Sequence, residues 1–211
     1  IASCLVGSEM CIRDRIFIST PCYDAMMTMQ YTMSILNLVN MLNQYKIEFM
    51  IDFLGNESLI TRARNKSLAK FLQTDCTHLL FIDSDIEFPA QAVLDLLFFD
   101  RDVSCCTYPK KGFNWNKFIY SMQNETSSQE NPESRGLDFA YNICYDENNN
   151  LIKDDNFIKV NHAATGFMMI KRSIVETLCS KHPELEIISD DLSQKDKVNH
   201  GLFCCMIKNK M

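Results

Sequence analysis

The sequence predicts an α/β domain on a mostly parallel sheet with helices on both faces. Three observations predict it. Short apolar runs alternate with stretches that carry apolar residues at helical spacing, Gly, Asn and Pro breaks separate them, and polar residues gather where the apolar runs end. In such sheets, ligands bind outside the carboxyl ends of the strands, so those polar ends are the first place to look for function.

Residues 15–21 (RIFISTP) predict a first strand that breaks at Thr20-Pro21. Residues 26–45 follow as a helix, with Met29, Met33, Leu36 and Val39 at helical spacing. Met26, Met27, Met29 and Met33 are assigned to core packing. Residues 46–55 (KIEFMIDFLG) predict a second strand that ends in Asp52 and a Gly-Asn turn, and residues 58–73 a helix with Leu59, Ala63, Leu68 and Phe71 as its apolar positions. The third strand is in residues 77–89 (THLLFIDSDIEFP). A helix with Pro89 in its first turn runs on to about residue 99, and residues 102–109 (DVSCCTYP) form a fourth strand. Residues 121–135 are polar and predict a loop. Residues 139–160 alternate around an Asn-rich turn and predict a hairpin, and residues 162–178 a glycine turn, a short strand and an amphipathic helix. After that the apolar pattern fades.

A chain of 211 residues can bury roughly 70 % of the surface its unfolded form exposes, so no disulfide or metal staple is needed. The net charge of −6 argues against a nucleic-acid partner, since phosphate backbones require a basic face. Residues 5–15 (LVGSEMCIRDR) match, residue for residue, the translation of a transposon-type sequencing adaptor. Residues 1–15 are therefore expected to be an artefactual extension, and residues 16–211 one domain truncated at its C-terminus. Setting the extension aside removes Cys4 and Cys11 from the 10 cysteines. No C-x-x-C spacing remains, and the adjacent pairs Cys105-Cys106 and Cys204-Cys205 are poor zinc signatures. The rest are read as reduced core residues of a cytoplasmic or membrane-associated protein whose natural N-terminus, with any anchor, is expected to be missing.

The centre of interest is the end of the third strand, where Asp83 and Asp85 flank Ser84. In an extended strand, residues two apart share a face, which sets two carboxylates side by side. Like charges that close require a proton or a cation between them. Helix capping does not explain them: with Pro89 opening the helix, the cap position is Phe88, and the acids come too early. Solvation at a strand end is the plain alternative. A hard divalent cation, Mg²⁺ or Mn²⁺, bound by one or two carboxylates and by substrate phosphates, is the functional one.

A hydrophobic strand that ends in Asp-x-Asp, preceded by a helix bearing Arg62-Ala63-Arg64-Asn65, resembles the glycosyltransferases of the GT-A fold, especially the family 2-like and Anp1/Mnn9-type enzymes. The resemblance covers about residues 16–178 and implies a Rossmann-like nucleotide-diphospho-sugar transferase fold. It implies that Asp83 and Asp85 hold Mn²⁺ or Mg²⁺ and the diphosphate or ribose of a UDP- or GDP-sugar donor, with Ser84 between them. Thr20, Pro21, Cys22, Tyr23 and Asp52 would line the nucleotide, Arg62, Arg64 and Asn65 would face the diphosphate and sugar, and Thr165 and Gly166 would border a glycan, lipid or protein acceptor. The residue types suit the chemistry, because a departing diphosphate gathers negative charge that a cation and guanidinium groups can stabilise. Arg62 and Arg64 lie two apart on a helix and cannot share a face, so only one is expected to reach the ligand, and Arg64 is favoured. For a general base, Asp190 and Asp191 are the only late acidic pair, in a weakly patterned segment, and the base stays unassigned.

Lys110, Lys111 and Trp115 fit either a phosphate clamp with a sugar-stacking indole or a solvated basic turn with a core Trp, and His162 either a site base or a hydrogen-bonded loop residue. Two rivals differ in kind. A haloacid-dehalogenase-type phosphatase also ends a strand in Asp-x-Asp, but on its first strand and continued by Thr or Val, where this chain has Ile86 on the third. A nucleotide-sugar-binding module without catalysis would bind donor and never turn it over.

Overall fold

A computed structural model describes residues 14–124, 131–187 and 199–204. The chain is mixed α/β and forms two compact units. One combines Ile1–Ser104 with Gly166–Met211, and the other is Cys105–Thr165. In chain order the first unit begins with β1 (Arg15–Cys22), α1 (Met29–Gln44), β2 (Glu48–Gly55), α2 (Ile60–Leu72), β3 (His78–Ile82), α3 (Ala90–Phe99) and β4 (Val103–Cys105). The second unit holds α4 (Trp115–Asn124) and the short strands β5 (Tyr141–Ile143), β6 (Lys153–Asp154), β7 (Phe157–Ile158) and β8 (Val160–Ala163). The chain then returns to the first unit as β9 (Phe167–Lys171), α5 (Arg172–Lys181), β10 (Glu186–Ile187) and β11 (Asn199–His200).

The central sheet has the order β2-β1-β3-β9-β4. Strand β1 pairs in parallel with β2 and with β3, while β9 runs antiparallel to β3. Alternation along β1 and β3 divides the core. Phe17, Leu79 and Phe81 join Leu68 and Phe71 of α2, Ile170 of β9 and Val175 of α5 on one face. Ile16, Ile18, Leu80 and Ile82, of opposite parity, are fully buried on the other face, where α1 and α3 pack.

The structure corrects the reading of α1. The predicted stripe Met29, Met33 and Leu36 is exposed, and so are Met26 and Met27. The buried residues are Tyr31, Ser34, Ile35, Leu38 and Leu42. The helix carries two apolar stripes on opposite sides, and the sheet takes the branched and aromatic one. The helix also begins at Met29, because Thr28 caps it by accepting from the Tyr31 N–H at 3.1 Å.

Other boundaries shift too. Strand β1 runs through Pro21 to Cys22, and β2 passes Asp52 to Gly55. The cap position of α3 is Pro89, one residue later than expected, which leaves the two acids still too early to cap. The first residues of the predicted polar loop, through Asn124, complete α4, and Pro132–Gly136 form a 3-10 turn. The hairpin is nested: β5 pairs with β8 and β6 with β7, and Asp146 organises the Asn-rich turn by accepting from the Asn148 and Asn150 N–H groups. Seven described cysteines are free; Cys22 and Cys76 are buried and Cys179 packs partly buried against the core, whereas Cys105, Cys106 and Cys144 are half-buried and Cys204 is exposed, so a core role is not shown for those four. Arg15, the last residue of the adaptor-like stretch, is built into the sheet. Its N–H donates to Thr77 Oγ1 at 3.0 Å, and its guanidinium pairs with Glu48 and Asp75.

Candidate functional site

The chain leaves β3 at Ile82 and turns. The Ile86 N–H donates to the Asp83 carbonyl at 3.2 Å, which makes Ser84 and Asp85 the middle of a tight turn. The same-face argument for two acids in an extended strand therefore does not hold. Two neighbours fix the turn. The Asp83 N–H donates to the Gly166 carbonyl at 2.8 Å at the entry to β9, and the Thr28 N–H donates to the Ser84 carbonyl at 2.9 Å. The mouth of the sheet is thus tied to the start of α1 and the start of β9.

Asp83 keeps the parity of Leu79 and Phe81 and so faces α2. There Arg64 Nη2 donates to Asp83 Oδ1 at 2.8 Å, and the guanidinium carbon lies 4.8 Å from the centre of the Phe81 ring. Arg64 is only 4 % exposed. It is buried for the reason Leu68 and Phe71 are: positions 64, 68 and 71 form one stripe of the helix, and Arg64 is its end nearest the strand mouth. Arg62 lies outside that stripe, where its Nε donates to Glu57 at 2.8 Å together with Lys66 Nζ, also at 2.8 Å. The two cations, Arg62 first, hold the Glu57 carboxyl down to about 2. The helix thus separates the two arginines, one into the mouth and one onto the surface.

Arg64 has a further property. Its Nη1 is buried and has no hydrogen-bond partner. A buried N–H on a charged group without an acceptor is disfavoured by a few kcal/mol, and such groups mark places where an acceptor from outside can bind. Asp52 Oδ2 is in the same condition, while its Oδ1 accepts from Lys70 Nζ at 2.6 Å. Asp52 pairs in register with Ser19, three residues before the end of β2, and Lys70 of α2 comes to it there.

The remaining expected residues are placed as follows. The hydroxyls of Thr20 and Tyr31, both fully buried, lie 2.5 Å apart, and burial pushes the Tyr31 phenol up to about 12. Pro21 and Cys22 finish β1, and Tyr23, exposed, opens a 3-10 turn whose Asp24 and Ala25 have left-handed backbones. Asn65 faces Phe203: its Oδ1 accepts from the Phe203 N–H at 2.9 Å and its Nδ2 donates to the Phe203 carbonyl at 3.5 Å. It holds residues 199–204 against α2, a task that requires both ends of an amide. Thr165 and Gly166 form the turn before β9, Gly166 with its carbonyl on Asp83. Asp190 and Asp191 lie outside the described residues. In the second unit His162 is exposed on β8, and Trp115 is 66 % exposed, which rules out a core role.

Sequence reading missed Thr28 and Tyr31, and it named Gly166 only for the acceptor side, not for the carbonyl that holds the Asp83 N–H. Thr28 carried a signal, a hydroxyl residue just before a helical pattern; a tyrosine on an apolar helix face and a backbone carbonyl carry none.

As for a metal, no group of three or more His, Cys, Asp and Glu side chains among the described residues is arranged to hold an ion. Two carboxylates in one turn, Asp83 with one oxygen on Arg64, suit a hard cation that arrives with phosphate oxygens to complete its shell. No family model matches the chain, and no curated protein matches its sequence. The class the coordinates define is a mixed α/β protein with a mostly parallel central sheet and a charged mouth at the carboxyl ends of β1 and β3.

Proposed function

We propose that the protein is a metal-dependent glycosyltransferase of the GT-A type that moves a sugar from a nucleoside-diphosphate sugar to an acceptor. The observation that carries this reading is the buried guanidinium of Arg64, with one nitrogen on Asp83 and the other without a partner, in the same mouth as Asp85. A phosphate oxygen is the acceptor that such a fork fits best. Asp83 and Asp85 would hold Mn²⁺ or Mg²⁺, which when bound supplies positive charge to the departing diphosphate. Arg64 adds a fixed positive charge beside it, preorganised by Phe81 and by the buried face of α2, so no reorganisation is needed as the bond to the sugar breaks. The turn anchored by Thr28 and Gly166 keeps both acids at the strand mouth.

The test is calorimetric titration of a panel of UDP- and GDP-sugars with Mn²⁺ and again with EDTA. Binding that requires the metal and is lost in Asp85→Asn supports the reading. Metal-independent binding, or equal binding by Asp85→Asn, sinks it. Tight binding without donor turnover or hydrolysis would identify a nucleotide-sugar-binding module.

A further inference from the structure

Arg64 has a long, flexible side chain, and its unpartnered Nη1 would gain water by swinging outward. Two contacts oppose that swing. One is the hydrogen bond to Asp83, a residue at the edge of solvent, and the other is the Phe81 ring beside the guanidinium. The ring is the firmer of the two, because Phe81 is fully buried. A second ring holds it: Phe203 meets Phe81 at 88° with the centroids 5.2 Å apart, the edge-to-face geometry that aromatic pairs prefer.

Phe203 is fixed in turn by the helix that carries Arg64. Asn65, itself buried, accepts from the Phe203 N–H and donates to the Phe203 carbonyl. On the other side of Leu202, the Gly201 N–H donates to the Leu185 carbonyl at 2.8 Å, and Asn199 and His200 pair with Ile187 and Glu186. Residues 199–204 are thus a strap with an anchor on either side of Leu202. The contacts close a ring: Arg64 on Phe81, Phe81 on Phe203, Phe203 on Asn65, and Asn65 next to Arg64 in α2. An apolar residue at position 65 could fill the space but could not hold a backbone. We infer that Asn65 and Phe203 are positioning residues for Arg64: the amide latches the strap onto α2, and the Phe203 ring steadies Phe81 as the wall that sets the guanidinium toward Asp83. The consequence for diphosphate binding rests on the proposed glycosyltransferase reading, whereas the placement of the guanidinium does not.

Two measurements on the full chain test the two parts. Phenylglyoxal, which attacks accessible guanidinium groups, is followed at Arg64 by mass spectrometry of the digested protein, and UDP and GDP are titrated by calorimetry with Mn²⁺. In Asn65→Ala and in Phe203→Leu, which keeps apolar volume but removes the ring, Arg64 should react roughly tenfold faster than in the parent and the nucleotides should bind about tenfold more weakly, a coupling of about 1.4 kcal/mol. In an Arg64→Ala background Phe203→Leu should cost no further affinity, because its effect passes through the guanidinium. Leu202→Ala, which removes another apolar contact of the same strap, should lower the melting temperature yet leave Arg64 protected and nucleotide affinity unchanged. Equal modification rates in the parent and Phe203→Leu overturn the inference. So does a Leu202→Ala variant that exposes Arg64 as much as Phe203→Leu does, or a loss of affinity that persists without Arg64. A parent that binds neither UDP nor GDP overturns the glycosyltransferase reading instead, and the modification rates still decide how Arg64 is held.

Discussion

Arg64 and Asp83 form an ion pair in which one partner is buried and the other stands at the edge of solvent: the side chains are 5 % and 32 % exposed. That asymmetry sets the behaviour of the site. The arginine is held in place by packing, whereas the aspartate can exchange part of its hydration for another cation. The pair also answers the electrostatic question raised by two neighbouring acids, since the protein supplies a positive charge to one of them itself.

Arg64→Ala should therefore do two things. Nucleoside-diphosphate binding weakens by roughly 1.5–3 kcal/mol, the range for a hydrogen bond to a charged group. Stability also falls, by about 2 kcal/mol in urea denaturation, because the stacking on Phe81 is lost and Asp83 is left without its partner. Arg62→Ala, outside the mouth, should leave donor affinity unchanged. A variant of Arg64 with full affinity would remove it from the site.

Asp85→Asn should leave stability within about 0.5 kcal/mol of the parent, as expected for an exposed turn residue, while Mn²⁺-dependent donor binding collapses. Because Arg64 already offsets Asp83, relief of repulsion contributes little. A marked loss of stability would make Asp85 a structural residue of the turn.

Glu57 gives the fold an acid-sensitive element. Its carboxyl is lowered from 4.5 to about 2 by Arg62 and then Lys66, so the folded state releases the proton more readily than the unfolded chain. The stability it contributes is complete above pH 4.5 and is lost as pH falls toward 2. Glu57→Gln should flatten the stability profile in that window when unfolding is followed at a series of pH values. An identical profile would show the cluster to be solvated and without effect.

Tyr31 acts in the opposite direction. Burial raises its phenol from 10 to about 12, so stability holds below pH 10 and declines between 10 and 12. Difference absorbance should show one of the 7 tyrosines ionising late, and Tyr31→Phe should remove that step. The same change leaves the buried Thr20 hydroxyl without its partner and should lower stability by roughly 1–3 kcal/mol.

The two sides of α1 should respond differently to substitution. Leu38→Ala opens a cavity beneath the sheet and should lower stability by about 2–5 kcal/mol. Met33→Gln, on the exposed stripe, should fall within about 0.5 kcal/mol of the parent. Equal losses from both would place the methionine face in contact with something.

The sequence by itself determined the alternation of strands and helices, the third strand as a fully buried run, and the presence of two acids and a basic helix at the ends of the strands. Those features rest on local periodicity and on the composition of short runs, which neighbouring residues alone decide. It also separated Arg62 from Arg64, since positions two apart on a helix cannot share a face. Only the tertiary structure decided the rest. Helix α1 offers two apolar stripes, and hydrophobicity cannot choose between Met29, Met33 and Leu36 on one side and Tyr31, Ile35, Leu38 and Leu42 on the other; the sheet chose by shape. The turn at Asp83 depends on the Gly166 carbonyl and the Thr28 N–H, which are distant in sequence and meet there because β9 and α1 flank β3. Asn65 holds Phe203, 138 residues away, a partnership that no local pattern encodes. The cation beside Asp83 likewise belongs to tertiary structure: a stripe that looks amphipathic in sequence buries its arginine because the strand beneath it ends in an acid.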